Sequence, residues 1–303
     1  MADCSQLSVV IPTYRRERVL IETIEYLIDQ RPPPDEILIV DQTPHHEPYT
    51  TQMLAGFASQ GRIRWLRSSE PSIPQAMNRG LLEARNDVVL FVDDDVRPEA
   101  NLISAHLATH RRQPNAVVAG RVIQPWQEAV DFKHDPDNLF AGIRARLVDE
   151  FIGCNFSVRR SAALDVGGFD ENFVKVAYRF EAEFSHRFSR AGNPILFEPE
   201  ACLHHLKSYE GGTRAHGQLL TTTTPNHAVG KYYFALRTMP WFLSVREMLW
   251  QPIRSVVTRH HLRRPWWIPL SFVAELRGLA WALRLHLRGP ALVATTKGAE
   301  TRA

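Results

Sequence analysis

Short apolar runs and stretches of helical spacing follow one another along most of this chain. Residues 7–11 form an apolar run that stops at Pro12-Thr13-Tyr14. Apolar residues then recur at Val19, Leu20, Ile24, Leu27 and Ile28. That spacing predicts a helix over 16–30, which Pro32-Pro33-Pro34 ends. A second buried strand, predicted over 36–40 and apolar from Ile37 on, ends in Asp41, and a helix over 49–60 and a strand over 63–66 follow. Ile73, Met77, Leu81 and Leu82 share one side of a helix predicted for 72–85. Residues 88–92 are all apolar and run straight into Asp93-Asp94-Asp95. Beyond them the pattern predicts a helix over 100–112 and a strand over 116–123. Residues 124–147 are irregular and read as a loop over the site. Regularity resumes with a strand over 151–158, a turn at Gly167-Gly168-Phe169-Asp170 and a helix over 178–190 that Gly192 ends. Two short strand-like runs, 195–197 and 201–203, lead to His204-His205.

Strands alternating with helices predict an α/β protein whose mostly parallel sheet is covered on both faces. In such sheets ligands bind beyond the carboxyl ends of the strands. Thr13 and Tyr14, Asp41, and Asp93 to Asp95 all fall at such ends. Side chains alternate along a strand, so Asp93 and Asp95 point one way and Asp94 the other. Two converging carboxylates repel each other unless a cation lies between them. Mg²⁺ or Mn²⁺ turns them into a hard-oxygen site for a phosphate-bearing ligand. A solvated turn, or a cap on the helix starting near Pro98, is the alternative for these aspartates. Neither GxGxxG nor GxxxxGK[ST] follows the first strand, so the dinucleotide fingerprint and the P-loop are both missing.

Charge divides the chain near Pro225. Residues 226–303 carry 12 lysines and arginines against 3 acidic residues, a net +9, whereas 1–225 carry 24 against 30, a net −6. Five of the seven tryptophans, Trp241, Trp250, Trp266, Trp267 and Trp281, also lie beyond 225. In 246–264 and 269–287, apolar blocks alternate with arginine. Such stretches suit an anionic membrane surface, or helices packed on the rest of the chain or on another subunit. Nucleic acid is a poorer partner, because the larger part is acidic and lacks a nucleic-acid module. Three scattered cysteines, no signal-peptide pattern and no membrane-spanning run point to the cytoplasm, with peripheral attachment to the inner membrane face left open.

Seven segments in order carry a resemblance to a known family: VVIPTYRR, IVDQT, MNRGLLEA, VLFVDDDV, GCNFSVRRSAALDVGGFDENF, FEAEFSHRFSRAG and PEACLHH. Together they resemble a family-2 glycosyltransferase of the GT-A fold over residues 7–215. The resemblance implies transfer of a sugar, with inversion, from a nucleotide diphosphate donor to an acceptor hydroxyl. It implies a catalytic domain with a nucleotide-sugar half over about 1–123 and an acceptor half over about 124–225; the change in composition sets off a C-terminal helical region over 226–303. Asp41 is then expected to bind the donor base and Tyr14 to stack on it, beside Pro12 and Thr13; a helix cap for Asp41 and a strand-end core aromatic for Tyr14 are the alternatives. Asp93 and Asp94 are expected at the donor, Asp93 and Asp95 at the metal, and His204 near the metal or diphosphate. Asn78 is an expected substrate contact, Asp170 is expected either at donor or acceptor or in a turn role, and Arg214 is expected on a loop, 210–214, closing over the diphosphate. Aligned on Phe184 and Arg187, Glu181 takes the place of the family's base, with Glu183 as the alternative. Two departures stand out. The usual Glu-Asp pair reads Phe180-Glu181-Ala182-Glu183, and Met77 replaces an arginine expected near the diphosphate. These departures leave open a non-catalytic nucleotide-sugar-binding or scaffold protein. A nucleotidyltransferase is less favoured, because Pro12-Thr13-Tyr14 replaces its Gly-rich loop.

Overall fold

The computed structural model describes residues 6–133, 135, 137–213 and 220–293. Its first part alternates strands and helices: β1 (Leu7–Thr13), α1 (Arg18–Ile28), β2 (Glu36–Asp41), α2 (Pro48–Ser59), β3 (Arg64–Arg67), α3 (Ile73–Glu83) and β4 (Val88–Val92). There follow β5 (Val96–Pro98), α4 (Leu102–Arg112), β6 (Val117–Ile123), β7 (Arg146–Leu147), β8 (Asn155–Arg159), α5 (Arg160–Asp165), α6 (Phe180–Arg190) and β9 (Ile195–His205). The chain continues as α7 (Ala228–Thr238), α8 (Trp241–Val256), α9 (Arg259–Arg263) and α10 (Ile268–Arg288).

One mixed sheet runs in the order β3-β2-β1-β4-β8-β6-β9-β5, and β7 adds to β9. β1 pairs in parallel with β2 and β4, and β2 with β3. β8 is antiparallel to both β4 and β6, so β6 and its parallel neighbour β9 run with the first set. The carboxyl ends of β1, β2, β4, β6 and β9 therefore share one edge. Thr13, Asp41, Val92 and His205 all stand there.

Continuous apolar runs formed strands because both faces of the sheet are covered. Val9 and Ile11 of β1 pack with Leu20 and Ile24 of α1, while Val10 faces Met77 and Leu81 of α3. The second face reaches into the C-terminal helices. Tyr232 and Tyr233 of α7, and Ala282 and Leu285 of α10, join the same core as Phe91, Phe169 and Phe184. The inner faces of these helices thus join the sheet's core, with α7 packed on α6 and α10 on α7. No helix among the described residues is long and apolar enough to cross a membrane.

Several boundaries differ from the pattern-based expectations. α6 begins at Phe180 because Arg179 is left-handed, with φ 72°. β8 begins only at Asn155, after a turn in which Asn155 N–H donates to the Ile152 carbonyl. The two runs expected at 195–197 and 201–203 are one strand, β9. Its register against β6 jumps from Glu198 to Cys202 as β6 advances from Gly120 to Arg121. This bulge absorbs Glu200, the exposed residue that made the run look broken.

Candidate active site

α1 fixes the acidic bend after β4. Thr23 Oγ1 accepts from Val96 N–H, and the same hydroxyl lies within hydrogen-bond distance of the Asp94 and Val96 carbonyls. Asp94 turns toward β1, where Thr13 donates to it at 2.7 Å and Arg16 pairs with it at 3.0 Å. Burial pushes the Asp94 carboxyl up to about 7, and neighbouring Asp95 and Asp93 add to this against the pull of Arg16 and Thr13. Asp95 turns the other way. His205 Nε2 lies 3.2 Å from its Oδ1, and Arg16 Nη2 3.1 Å from its Oδ2. Burial works against its ionisation, yet His205 and Arg16 hold its carboxyl below the usual range. Asp93 Oδ2 stands 3.7 Å from the same histidine nitrogen.

Asp93, Asp95 and His205 each offer one ligand atom, and these atoms lie within 4.8 Å of one another. Two hard carboxylate oxygens and an imidazole suit a small divalent cation such as Mn²⁺ or Mg²⁺. The donor set therefore fits the cation expected from the sequence, with one correction. His204 is not part of the cluster: its Nε2 bonds Glu99 at 2.8 Å and its Nδ1 stands 3.6 Å from Glu128. Neighbouring residues of a strand face opposite sides. The β9 bulge decides which of the two histidines meets the aspartates, and it selects His205.

A cleft opens beside this cluster at the shared strand edge. Pro12, Thr13, Tyr14 and Gln42 line one part, and Ile73 and Met77 give it an apolar wall. Met77, expected to leave a gap in the phosphate contacts, is core-packed here and exposes 1% of its surface. Across the cleft stand Gly153, Phe180 and Glu181. A Cβ on Gly153 would come within 2.8 Å of Glu181 Oε1, so this glycine leaves room for the carboxylate. Lys207 and the segment Gly211–Thr213 complete the lining. Gly212 N–H donates to the Tyr14 carbonyl at 2.8 Å, and a side chain at Gly211 would strike the Arg15 carbonyl. Arg16 also donates to the carbonyls of Ser208 and Glu210, while Ser208 N–H donates to Asp95. Arg16 thus joins the acidic bend to the segment 208–210. Arg16, Gln42 and Lys207 were not singled out from the sequence, and His205 reads there as a packing or surface neighbour; the Tyr14-Arg15-Arg16 run was the available signal for Arg16.

Four expected site residues face elsewhere. Asp41 is fully buried and holds Thr43 N–H, His46, Trp65 and Arg67 rather than facing the cleft. Burial opposes its ionisation, but the hydrogen bonds from His46, Thr43 and Trp65 lower its pKa overall. Asn78 is also turned inward, bracing the glycine turn: its side chain exchanges hydrogen bonds with Phe169 N–H and carbonyl and donates to Glu171. Asp170 is buried under the C-terminal helices, accepting from Tyr233 at 2.8 Å, Ala291 N–H at 3.0 Å and Asn172 N–H at 3.1 Å. Glu183 makes a two-point pair with Arg187, both contacts 2.8 Å, and is 1% exposed. That buried pairing separates it from Glu181, which reaches the cleft. Arg214 lies outside the described residues.

Structural comparison places this fold among those of the GT-A glycosyltransferases. The fold matches GalNAc-T7 in complex with UDP, GalNAc and Mn²⁺ (TM-score 0.58, 17% identity, 78% of this chain and 51% of that one). It also matches the mannosyltransferase PcManGT of Pyrobaculum calidifontis in complex with GDP-Man and Mn²⁺ (0.54, 18%, 94% and 79%). A third match is residues 1–349 of S. aureus TarS (0.56, 14%, 91% and 80%). At these identities the likeness shows the fold. The chain belongs to Glycosyl transferase family 2, whose profile matches residues 8–167. Among curated relatives, it is 23% identical over 240 residues to the uncharacterized glycosyltransferase YfnE of Bacillus subtilis (strain 168), covering 61% of this chain and 60% of that protein. It is 26% identical over 216 residues to a glucosyl-dolichyl phosphate glucuronosyltransferase of Haloferax volcanii, covering 66% and 69%. The chain thus spans about three fifths of the first relative's length.

Proposed function

We propose that this protein is an inverting glycosyltransferase that moves a sugar from a nucleoside diphosphate donor to an acceptor hydroxyl. The observation that carries the reading is the convergence of Asp93, Asp95 and His205 in the same cleft as Glu181. Residues 1–123 take the nucleotide sugar, 124–225 form the acceptor side, and 226–303 are the C-terminal helical region. Tyr14 and Gln42 stand where the base is received. Asp93, Asp95 and His205 would hold Mn²⁺ or Mg²⁺, which would supply positive charge against the leaving diphosphate. Arg16 and Lys207 add fixed positive charge there. Glu181 accepts the proton of the acceptor hydroxyl as the hydroxyl oxygen bonds to the anomeric carbon. The bond from that carbon to the diphosphate oxygen breaks, and its electron pair leaves with the diphosphate. Attack opposite the leaving group inverts the centre.

The acceptor is a polysaccharide, a lipid-linked glycan or a secondary-metabolite glycan. The Haloferax relative's name pairs a sugar with dolichyl phosphate. With the basic, Trp-rich C-terminal region, it favours the lipid-linked form and residence at the cytoplasmic face of a membrane. The test measures donor hydrolysis and transfer with UDP- and GDP-sugars, with and without Mn²⁺. Cation-dependent turnover supports the reading. Cation-dependent binding without hydrolysis or transfer would favour a non-catalytic role. Pyrophosphate release from a nucleoside triphosphate would favour a nucleotidyltransferase.

A further inference from the structure

α8 leaves most of its large apolar side chains exposed. A helix packed on a water-soluble core normally turns apolar residues inward and polar residues outward. In α8 the buried positions include Ser244 and Pro252, and Ser244 Oγ donates to the Ala235 carbonyl. Trp241, Phe242, Val245, Leu249, Trp250 and Ile253 are nevertheless all exposed. Trp241 exposes 78% of its surface and Leu249 67%. Positions 241, 245, 249 and 253 repeat at four-residue spacing, so these side chains form one stripe along the helix. The stripe continues past the helix end in Val257, Leu262 and Trp266. α10 repeats the pattern, with Phe272, Val273, Leu276 and Leu287 exposed.

Positive charge borders these apolar surfaces. Arg246, Arg259, Arg263 and Arg264 are exposed around the α8 stripe, and Arg277, Arg284 and Arg288 around that of α10. In the whole region 226–303 only Glu247, Glu275 and Glu300 are acidic. Glu247 is paired with Arg254, and Glu275 is buried against Tyr232 and Lys231. A two-fold contact with a second copy would set this arginine rim against itself. Anionic headgroups over a shallow apolar layer complement both features: the arginines meet the headgroups, and Trp and Leu enter the boundary with the acyl chains.

We infer that the outer face of α8, extended by α9 and α10, docks in the interface of an anionic lipid membrane. The inference rests on the helices themselves and deepens the transferase reading, because it sets the cleft beside a membrane-borne acceptor. α7 links the two: it packs against α8, and Arg179 at the start of α6 stacks over its Phe234 at 4.4 Å. Phe180 and Glu181 of the cleft follow directly.

The test is sedimentation of the full chain with vesicles of phosphatidylcholine alone or mixed with phosphatidylglycerol. Binding is expected to the mixed vesicles and to weaken as salt rises, since exposed charge is screened. Trp241→Glu with Leu249→Glu is expected to lower that binding at least about tenfold while leaving the melting temperature unchanged. Arg263→Glu with Arg264→Glu is expected to weaken it and flatten its salt dependence. No binding to mixed vesicles at low salt, or unchanged binding by the Trp241/Leu249 variant, would overturn the inference. So would a dimer on gel filtration that this variant converts to a monomer, which assigns the face to a second copy. Failure of the same preparation to bind nucleotide sugars with Mn²⁺ would strike the transferase reading and leave the lipid result standing.

Discussion

At the strand ends, Asp94 and Asp95 share Arg16, and His205 stands between Asp93 and Asp95. Between α6 and α7, Asp170 and Glu183 share Arg237 at 3.8 and 3.7 Å, and Arg187 clasps Glu183. Both clusters are acidic, buried and neutralised by arginine. They differ in what else reaches them. The strand-end cluster opens on the cleft. The second is closed by Tyr233 and by Ala291 from beyond α10, so its donors are all protein. A buried carboxylate pair therefore does not identify a site by itself; the open side does. The first cluster is expected to govern binding and chemistry, the second stability.

Glu181 and Glu183 give the sharpest way to break that contrast. Glu181→Gln is expected to cut transfer by about 10²–10⁴-fold with donor affinity nearly unchanged. Steady-state rates and donor titration, measured on one preparation, check this. Glu183→Gln leaves Arg187 buried without its countercharge. It is expected to lose roughly 3–5 kcal/mol of unfolding free energy in denaturant melts. A dead but stable Glu183 variant beside an active Glu181 variant would reverse the assignment.

A third buried polar set carries no countercharge at all. His106 bonds Asn155 and Ser157, and His110 bonds the same serine. Burial pushes the two imidazoles down to about 4 and about 3. The unfolded chain therefore takes up their protons first as pH falls. The stability they contribute is complete above the ordinary histidine pKa and is lost as pH drops from there toward about 4. In that window each histidine steepens the loss by up to about 1.4 kcal/mol per pH unit. Melting curves across this range should show a shallower slope for His106→Gln than for the wild type. The smallest expected effect is that of Tyr233→Phe. Removing one donor to buried Asp170 should cost about 1–3 kcal/mol and leave donor affinity unchanged.

The strands were legible where both faces are buried, because β1, β2 and β4 appear as continuous apolar runs whatever their partners. β5 and β7 are three and two residues long and show no period. The acidic bend was legible too, since alternation alone separates Asp94 from Asp93 and Asp95. His205 was not, because the bulge in β9 changes which side a residue faces, and it exists only through pairing with β6. Asp170 and Asn78 sit in family-like segments and were read as substrate contacts. Their partners lie far along the chain: Tyr233 and Ala291 are 63 and 121 residues from Asp170, and Phe169 is 91 from Asn78. Local pattern carries no record of such closures. Glu183 was half legible. Its four-residue spacing from Arg187 is that of a helical ion pair, but the burial that removes it from the cleft comes from α6 packing against the sheet and α7.

The central claim is that Asp93, Asp95 and His205 form a cation site through which the donor binds. Calorimetric titration of a nucleoside diphosphate sugar into the wild type and into Asp95→Asn, each with Mn²⁺ and with chelator, tests it directly. The account predicts binding by the wild type with Mn²⁺, loss of that binding with chelator, and an Asp95→Asn protein that melts as a folded chain but no longer responds to the metal. Equal donor affinity with and without Mn²⁺, or an Asp95→Asn variant with unchanged metal dependence, would contradict it.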